Sequence, residues 1–514
     1  MYRLTFTLLS LIVSGLAPIS HAQSTAQDSS NVVLGMTLES ALHKALTGNP
    51  NVLTATTQVQ SALASVQSQE GTFDLALTAQ AGYTDTRSPV SISSQNVTTS
   101  NAISQQAGLS KLLKNGMQMD LSASQTSSTS QTDGSEASAR SGSGTLTFQL
   151  RVPLVRNRGG EVSNPLKSTE IEAQATRSDL ELTISQTILD TCLAYWDTVA
   201  KTQQLMVARG SEERSRKQLE DTRKLIAADQ LPRADINLAQ ANLSDRGLAR
   251  SAAEQALLES KLRLARVLGL NAQASLTIGD PIDTFPQVFP SPDLVLARKD
   301  TLIARALEGR NDLVSLRLRR ESALLSLANA TNAMRPQVDL VLGVTQNGIS
   351  ESAPPFAVGS GFGRIAGPGM SAQLLAQFPL ANNAAKGSYK QVMASLEAQE
   401  TRLAELGYAI SNRIEASTNA LVRAAERLKQ AQSSVETYAL GLENERTKRR
   451  MGLATMIDIL NLEDRYNQAL LSVVLERQAF STAVVQLRFE TGTLLQRDGD
   501  KYAARLSDLL AAEF

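Results

Sequence analysis

IEASTNALVRAAERLKQAQSSVETYALGLENERTKRRMGLATMIDIL, residues 414–460, decides the fold. Ile414, Leu421, Leu428, Val435 and Leu442 recur every seven residues, and Ser417, Ala424, Ala431 and Tyr438 follow the first four by three positions. Past Met451-Gly452-Leu453 the period restarts with Ile459, Tyr466, Val473, Phe480 and Leu487. A sustained seven-residue apolar repeat marks coiled-coil packing, and small residues at the second seam position let backbones approach. The stretch from Asn383 to Gln486 therefore reads as two long helices joined by a tight turn. At 1.5 Å per residue, the arm from Lys386 to Arg450 is on the order of 100 Å long. No globular core needs a helix of that length.

The chain has 514 residues, 4% aromatics, and 50 Lys plus Arg against 50 Asp plus Glu, so no net field recommends nucleic acid as a partner. Two histidines, His21 and His43, and one cysteine, Cys192, leave no basis for a metal site, an internal disulfide or a catalytic triad. No cofactor is expected, and the chain does not read as an enzyme. Cys192, in the helical stretch LDTCLAYW, reads as a buried inert thiol. Gly359-Ser360-Gly361-Phe362-Gly363 lies between two strands, not between a strand and a helix, which argues against a phosphate loop. At the N-terminus, Arg3 precedes an apolar run from Leu4 to Leu16 and then Ser20-His21-Ala22. This is the pattern of a secretory signal peptide over residues 1–22. No later stretch approaches ~20 apolar residues, so any membrane span must be made of strands.

Thr37 is a candidate N-cap for a first helix that breaks at Gly48-Asn49-Pro50, and a second helix stops at Gly71. The period then changes. Leu75, Leu77, Ala79, Ala81 and Tyr83 alternate with polar or small residues, as in a barrel strand with an interfacial aromatic. A Ser/Thr/Asn-rich loop is expected from Arg87 to Ser104, a hairpin turn at Lys114-Asn115-Gly116, and a further run through Met117, Met119, Leu121 and Ala123. Leu146, Phe148, Leu150, Val152 and Leu154 then alternate after another polar loop. A soluble β-sandwich is the other reading of these runs. Ser163-Asn164-Pro165 is expected to cap a helix running to about Ala228. Its seam of Ile184, Leu205, Leu219 and Ile226 is interrupted by Thr191, Thr198 and Glu212. After a turn at Asp229-Gln230-Leu231-Pro232, a return helix carries Ile236, Leu243, Leu257 and Leu264 to Gly269.

Beyond a Pro-rich linker the chain repeats itself at an offset of 261: Lys44-Ala45-Leu46 matches Arg305-Ala306-Leu307, Ser61-Ala62-Leu63 matches Ser322-Ala323-Leu324, and Gly82 matches Gly343. Val338, Leu340, Leu342 and Val344, then Ala372, Leu374, Ala376 and Phe378, form the second strand pair around a loop from about Gln346 to Pro368. The hairpin at Lys114-Asn115-Gly116 has no counterpart there. The expected organisation is a signal peptide (1–22), a first repeat (23–280; strands about 74–154, helical hairpin about 163–268), a linker (281–299), a second repeat (300–495; strands about 337–380, hairpin about 386–491) and a C-terminal tail (496–514). Units that cannot bury their own seams stack on copies of themselves.

In its export signal, duplication and strand pairs, the chain resembles the TolC family of outer-membrane efflux proteins over essentially the whole mature length. The resemblance implies an α+β membrane protein, mainly α: an internally duplicated protomer in a homotrimer. One shared β-barrel would sit in outer-membrane lipid and continue as a long periplasmic α-helical barrel. It implies export of small molecules, drugs or proteins from a Gram-negative cell, with a periplasmic adaptor (membrane fusion) protein and an energised inner-membrane transporter as partners. A periplasmic coiled-coil adaptor or scaffold is the alternative, though it explains neither duplication nor strand pairs.

The family often places apolar-Gly-apolar at its hairpin tips, with an Asp six positions after the Gly. Met451-Gly452-Leu453 and Asp458 match; at the other tip Asp229 replaces the Gly, followed by Gln230 and Leu231, with Asp235 six positions on. These two turns are the adaptor-contacting candidates. Asp458, Asn461 and Asp235 are the candidates for a periplasmic gate, where three copies of a carboxylate would repel one another and attract cations. Asp458 reads equally as a solvated acid near a helix N-terminus. The unmatched hairpin at Lys114-Asn115-Gly116 either adds two strands per protomer, eighteen in a trimer against the family's usual twelve, or packs outside the wall.

Overall fold

The computed structural model describes residues 35–90, 96–133, 138–271, 273, 279–286, 292–351, 359–498 and 501–503; the expected signal peptide lies outside them. Helices α1 (Leu38–Gly48) and α2 (Pro50–Glu70) lead into strands β1 (Ala76–Pro89), β2 (Val97–Leu112), β3 (Gln118–Thr132) and β4 (Ala139–Pro153). The long α3 (Asn164–Ala227) and its return helix α4 (Asp235–Val267) follow. A short α5 (Pro292–Ala297) and then α6 (Lys299–Gly309) and α7 (Asn311–Ala333) precede β5 (Gln337–Ser350), the two-residue β6 (Arg364–Ile365) and β7 (Gly369–Gln377). The second long pair, α8 (Asn383–Arg450) and α9 (Met456–Glu490), ends near a small hairpin of β8 (Gln496–Asp498) and β9 (Lys501–Ala503).

The seven-residue period packs as expected. Ile414, Leu421, Leu428 and Leu442 of α8 are buried, as are Ile459, Val473, Phe480 and Leu487 of α9. The first pair corrects one expectation. Thr191 and Thr198 do not interrupt the α3 seam but are fully buried in it, because each hydroxyl donates to the carbonyl one turn back, Thr187 at 2.6 Å and Ala194 at 2.9 Å. A threonine so satisfied packs like a β-branched apolar residue. Ser163 is a second correction: it makes no side-chain cap, since its hydroxyl donates back to the Gly160 carbonyl at 2.7 Å. The buried Cys192 thiol sits in the core beside Tyr195 and Trp196, and burial pushes its pKa up to about 12.

Each return helix has about half the residues of its outgoing partner: α4 has 33 against 64 in α3, and α9 has 35 against 68 in α8. A second helix makes up the difference by stacking end to end. Asn49 accepts from Asn51 N–H to cap α2 while its amide donates to the Val267 carbonyl at the end of α4. Gly269, at φ 74°, approaches Gly48 so closely that a side chain there would collide with the Gly48 carbonyl. At the corresponding junction between α9 and α7, the buried Arg310 guanidinium donates to the Glu490 carbonyl at 3.0 Å and to its carboxylate at 2.7 Å, and pairs with Asp312.

The strands form one sheet in the order β1-β2-β3-β4-β5, with β7 on the far side of β5 and β6 against the end of β5. Every pairing is antiparallel. The loop expected over Arg87–Ser104 is mostly strand, since β1 runs to Pro89 and β2 begins at Val97. Likewise β3 continues to Thr132 and β5 to Ser350, through stretches expected to be loop. There both faces of the sheet are mostly Ser, Thr, Asn and Gln, so no sustained alternation announces a strand, while the backbone ladder continues.

Candidate functional site

Two ends of the molecule carry features that packing alone does not require: the sheet and the hairpin tips. Register lines up one face of the sheet strand by strand. Leu77, Leu109, Leu121, Phe148, Val344 and Met370 face one another in sequence across six strands, and all six are exposed. Met119, Leu150, Leu342 and Ala372 form a parallel row on one side of them, and Ala79, Ala107, Ala123 and Leu146 on the other. The opposite face carries Thr78, Gly108, Ser122, Thr147, Thr345 and Gly369 in the same register. Among the described residues β1 pairs only with β2, and β7 only with β5, so the sheet has two open edges. Tyr83 stands exposed near the upper end of the apolar face, its hydroxyl 3.3 Å from Asn101 Oδ1.

At the second tip, α8 ends in Lys448, Arg449 and Arg450, which complement its dipole. Gly452 takes φ 77°. Its N–H donates to the Arg449 carbonyl, and Leu453 N–H reaches back to Lys448, both at 2.9 Å. Thr455 then caps α9 in a capping box. Asp458 N–H donates to Thr455 Oγ1, and the Asp458 carboxylate accepts from Thr455 N–H at 2.9 Å and from its hydroxyl at 2.6 Å. The hydroxyl bond, followed by the backbone one, holds the Asp458 carboxyl below the usual aspartate range. Met451 and Leu453 are exposed, whereas Met456 is buried against Leu219 of α3 and Ala239 of α4.

At the first tip Asp229 takes φ 54°. Its N–H donates to Ile226 at 3.0 Å and Gln230 N–H to Leu225 at 2.9 Å, the bonding pattern of the Gly452 turn. Asp229 and Gln230 are exposed and Leu231 is half-buried. Asp235 opens α4, whose N-cap Ala234 offers no side-chain acceptor. Asn461 lies exposed on α9, in a groove with Ser434 and Tyr438 of α8.

No protein-family model matches the chain, and no curated protein does either. Solved structures do. The outer-membrane channel CmeC of Campylobacter jejuni superposes with a TM-score of 0.66 at 12% identity, covering 89% of this chain and 85% of that one. The outer-membrane protein VceC of Vibrio cholerae gives 0.65 at 14% identity over 88% and 96%. The MtrE outer-membrane channel of Neisseria gonorrhoeae, in its open state, gives 0.60 at 14% over 91% and 93%. The fold is that of the TolC-family outer-membrane channels.

Within this TolC-type fold, sequence reading missed a layer of polar links that tie the two hairpins together near their tips. Arg246 of α4 bonds Asp464 of α9. Arg214 of α3 donates to Asn467 Oδ1 at 2.5 Å, and the Asn467 amide donates to Ser211 at 2.9 Å. Within the second hairpin, the buried Glu463 carboxylate takes a bond from Arg446 of α8 at 2.9 Å. The available signal was Glu463 and Asn467, polar residues beside the seam positions Ile459 and Tyr466. Nothing in periodicity says which partners they meet.

Proposed function

We propose that three copies of this chain form an export duct across the outer membrane of a Gram-negative cell. The open sheet carries this reading. An unpaired strand edge cannot rest in hydrocarbon, where each unsatisfied backbone group costs several kcal/mol, so a sheet with an exposed apolar face must close into a barrel. One protomer's arc is too short to close on itself, and β1 of one copy meeting β7 of the next removes both edges. The apolar face then meets lipid and the Ser/Thr/Gln face lines the lumen. The helical hairpins continue the barrel into the periplasm, α8 alone extending on the order of 100 Å. The repeated order of helices, strands and long hairpin supports an internally duplicated protomer.

The duct has no energy source of its own. It exports small molecules or proteins delivered by an energised inner-membrane transporter through a periplasmic adaptor, which meets the exposed tip residues Met451, Gly452, Leu453, Asp229, Gln230 and Leu231. The role is transport, not catalysis. The test is fractionation followed by native mass and planar-bilayer recording. A detergent-extracted trimer from the outer-membrane fraction that forms ion-conducting pores is expected; a soluble monomer released by osmotic shock would refute the duct.

Gating at Asp458, Asn461 and Asp235 is part of the proposal, and the capping box sharpens its test. Asp458→Ala removes a charge and a cap together, whereas Thr455→Ala loosens the cap and leaves the charge. Raised conductance or altered cation selectivity in Asp458→Ala alone assigns the charge to the gate. The same change in both variants assigns it to the cap.

A further inference from the structure

We propose that the β2–β3 hairpin is part of the membrane wall, so that each protomer contributes six strands and the barrel has eighteen. The inference rests on the duct reading and concerns the wall's size, which that reading leaves open. Three observations carry it. First, β2 and β3 stand between β1 and β4 in the hydrogen-bonded order, paired along their whole lengths, from Ala76↔Ser110 to Pro89↔Val97 and from Gln118↔Arg151 to Ser130↔Ala139. Peeling the hairpin away would strand β1, which has no other described partner. Second, the hairpin repeats the two-faced chemistry of its neighbours in register. Leu109 and Leu121 continue the row between Leu77 and Phe148, and Gly108 and Ser122 continue the row between Thr78 and Thr147. A hairpin lying outside the wall in water would have no use for exposed leucines on one face only. Third, where the outer face of β3 turns polar, at Gln125, the side chain is buried and its Oε1 accepts from Gly359 N–H at 2.8 Å. There the Phe362 ring lies over Gly144 and Gly348. Gln125 is thus covered by the chain's own turn, while Gln105 opposite it is half-buried and Lys111, opposite Met119 at the helical end, is exposed.

The outer face from Val152-Leu340-Leu374 up to Tyr83-Ile103 spans about 25 Å along the barrel axis at ordinary strand rise and tilt, the height of a bilayer's apolar band, with Gln105 and Gln125 as a polar pair one row below Tyr83-Ile103. With strands ~4.8 Å apart and tilted ~40°, eighteen strands close at about 36 Å between backbones against about 24 Å for twelve. The lumen face carries four charged residues on its paired strands: Asp120, Arg151 and Asp339 near the helical end, where Arg151 lies 3.9 Å from Asp339, and Arg364 opposite Ile349 at the far end. A wall this wide and this neutral does not select cargo. Discrimination falls to the periplasmic tips.

Cysteine labelling in intact outer membranes with a hydrophilic, membrane-impermeant maleimide tests the wall. Cys192 is buried and stays silent, so single cysteines can be added to the native chain. Leu77→Cys and Phe148→Cys report the face that the duct reading alone places in lipid. Leu109→Cys and Leu121→Cys report the hairpin's apolar face, and Ser122→Cys its lumen face. The expected result is protection of the first four, with labelling at least about tenfold slower than at Ser122→Cys. Fast labelling of Leu109→Cys or Leu121→Cys while Leu77→Cys and Phe148→Cys stay protected puts the hairpin outside the wall and overturns this inference alone. A protected Ser122→Cys also overturns it. Fast labelling at all four apolar positions removes the lipid face and with it the duct.

Discussion

At Gly452 the chain leaves α8 through a left-handed residue and re-enters helix at the Thr455–Asp458 box. At Asp229 it leaves α3 through the same turn, but re-enters at Asp235 through three successive i→i−3 bonds and no side-chain cap. Counted from the left-handed residue, Pro232 stands where Thr455 does, and Arg233 where Met456 does. Proline has no side-chain acceptor, and an exposed arginine cannot plug the space between helices. The shared turn makes both hairpins reverse sharply; the next four residues make one tip a locked end and the other a looser one. For a duct with two such tips per protomer, the loose tip is the place to expect motion, and the locked one anchors against it.

The largest effect that would break this contrast is at Met456, whose side chain fills the gap between Leu219 and Ala239. Met456→Ala is expected to lower local stability by about 3 kcal/mol, on the order of a hundredfold in amide exchange over the first turns of α9. Arg233→Ala should leave exchange at the first tip unchanged. Equal effects at the two positions would mean that the tips are equally locked.

Next come the left-handed residues. Gly452→Val forces a β-branched side chain to φ 77° and should cost about 1–2 kcal/mol. Asp229→Gly relieves what strain aspartate keeps at φ 54° and should stabilise by less than about 1 kcal/mol. Opposite signs, read by hydrogen exchange at each turn, are the expected outcome. A further change sharpens the comparison by trying to erase it. Pro232→Thr restores a threonine three residues before Asp235, the spacing of the Thr455–Asp458 box, and should slow exchange at the start of α4 by an amount worth about 1 kcal/mol. Thr455→Ala should speed it at the start of α9 by a similar amount.

Much of this was legible in advance, and the failures have physical reasons. The seams of α8 and α9 could be read because Ile414, Leu421 and Leu428 bury as their period says. The left-handed Asp229 could be read because few residues tolerate that conformation. Thr191 and Thr198 were misread because burial depends on a hydroxyl finding a carbonyl one turn back, which spacing does not reveal. The upper halves of β1 to β3 were misread because alternation exists only where one face meets apolar surroundings. At Asp458 the spacing Thr-x-x-Asp was in plain view, and it states a cap more directly than it states a gate.

That cap gives the smallest and most discriminating prediction. The Asp458 carboxyl is held below its usual range by Thr455, so its folded pKa is lower than its unfolded one. A group depressed in this way contributes stability that is present above the unfolded pKa and lost as pH falls through the folded one. The first turn of α9 should therefore hold through neutral and mildly acidic pH and loosen only below the ordinary aspartate range. Asp458→Asn keeps an acceptor but cannot titrate. In pulsed hydrogen exchange, the extra loosening of residues 456–462 in acid should appear in the native chain and vanish in this variant. Persistence of that loosening in Asp458→Asn would assign the acid response to another group at the tip, and the locked end would then owe its stability to Met456 packing more than to its cap.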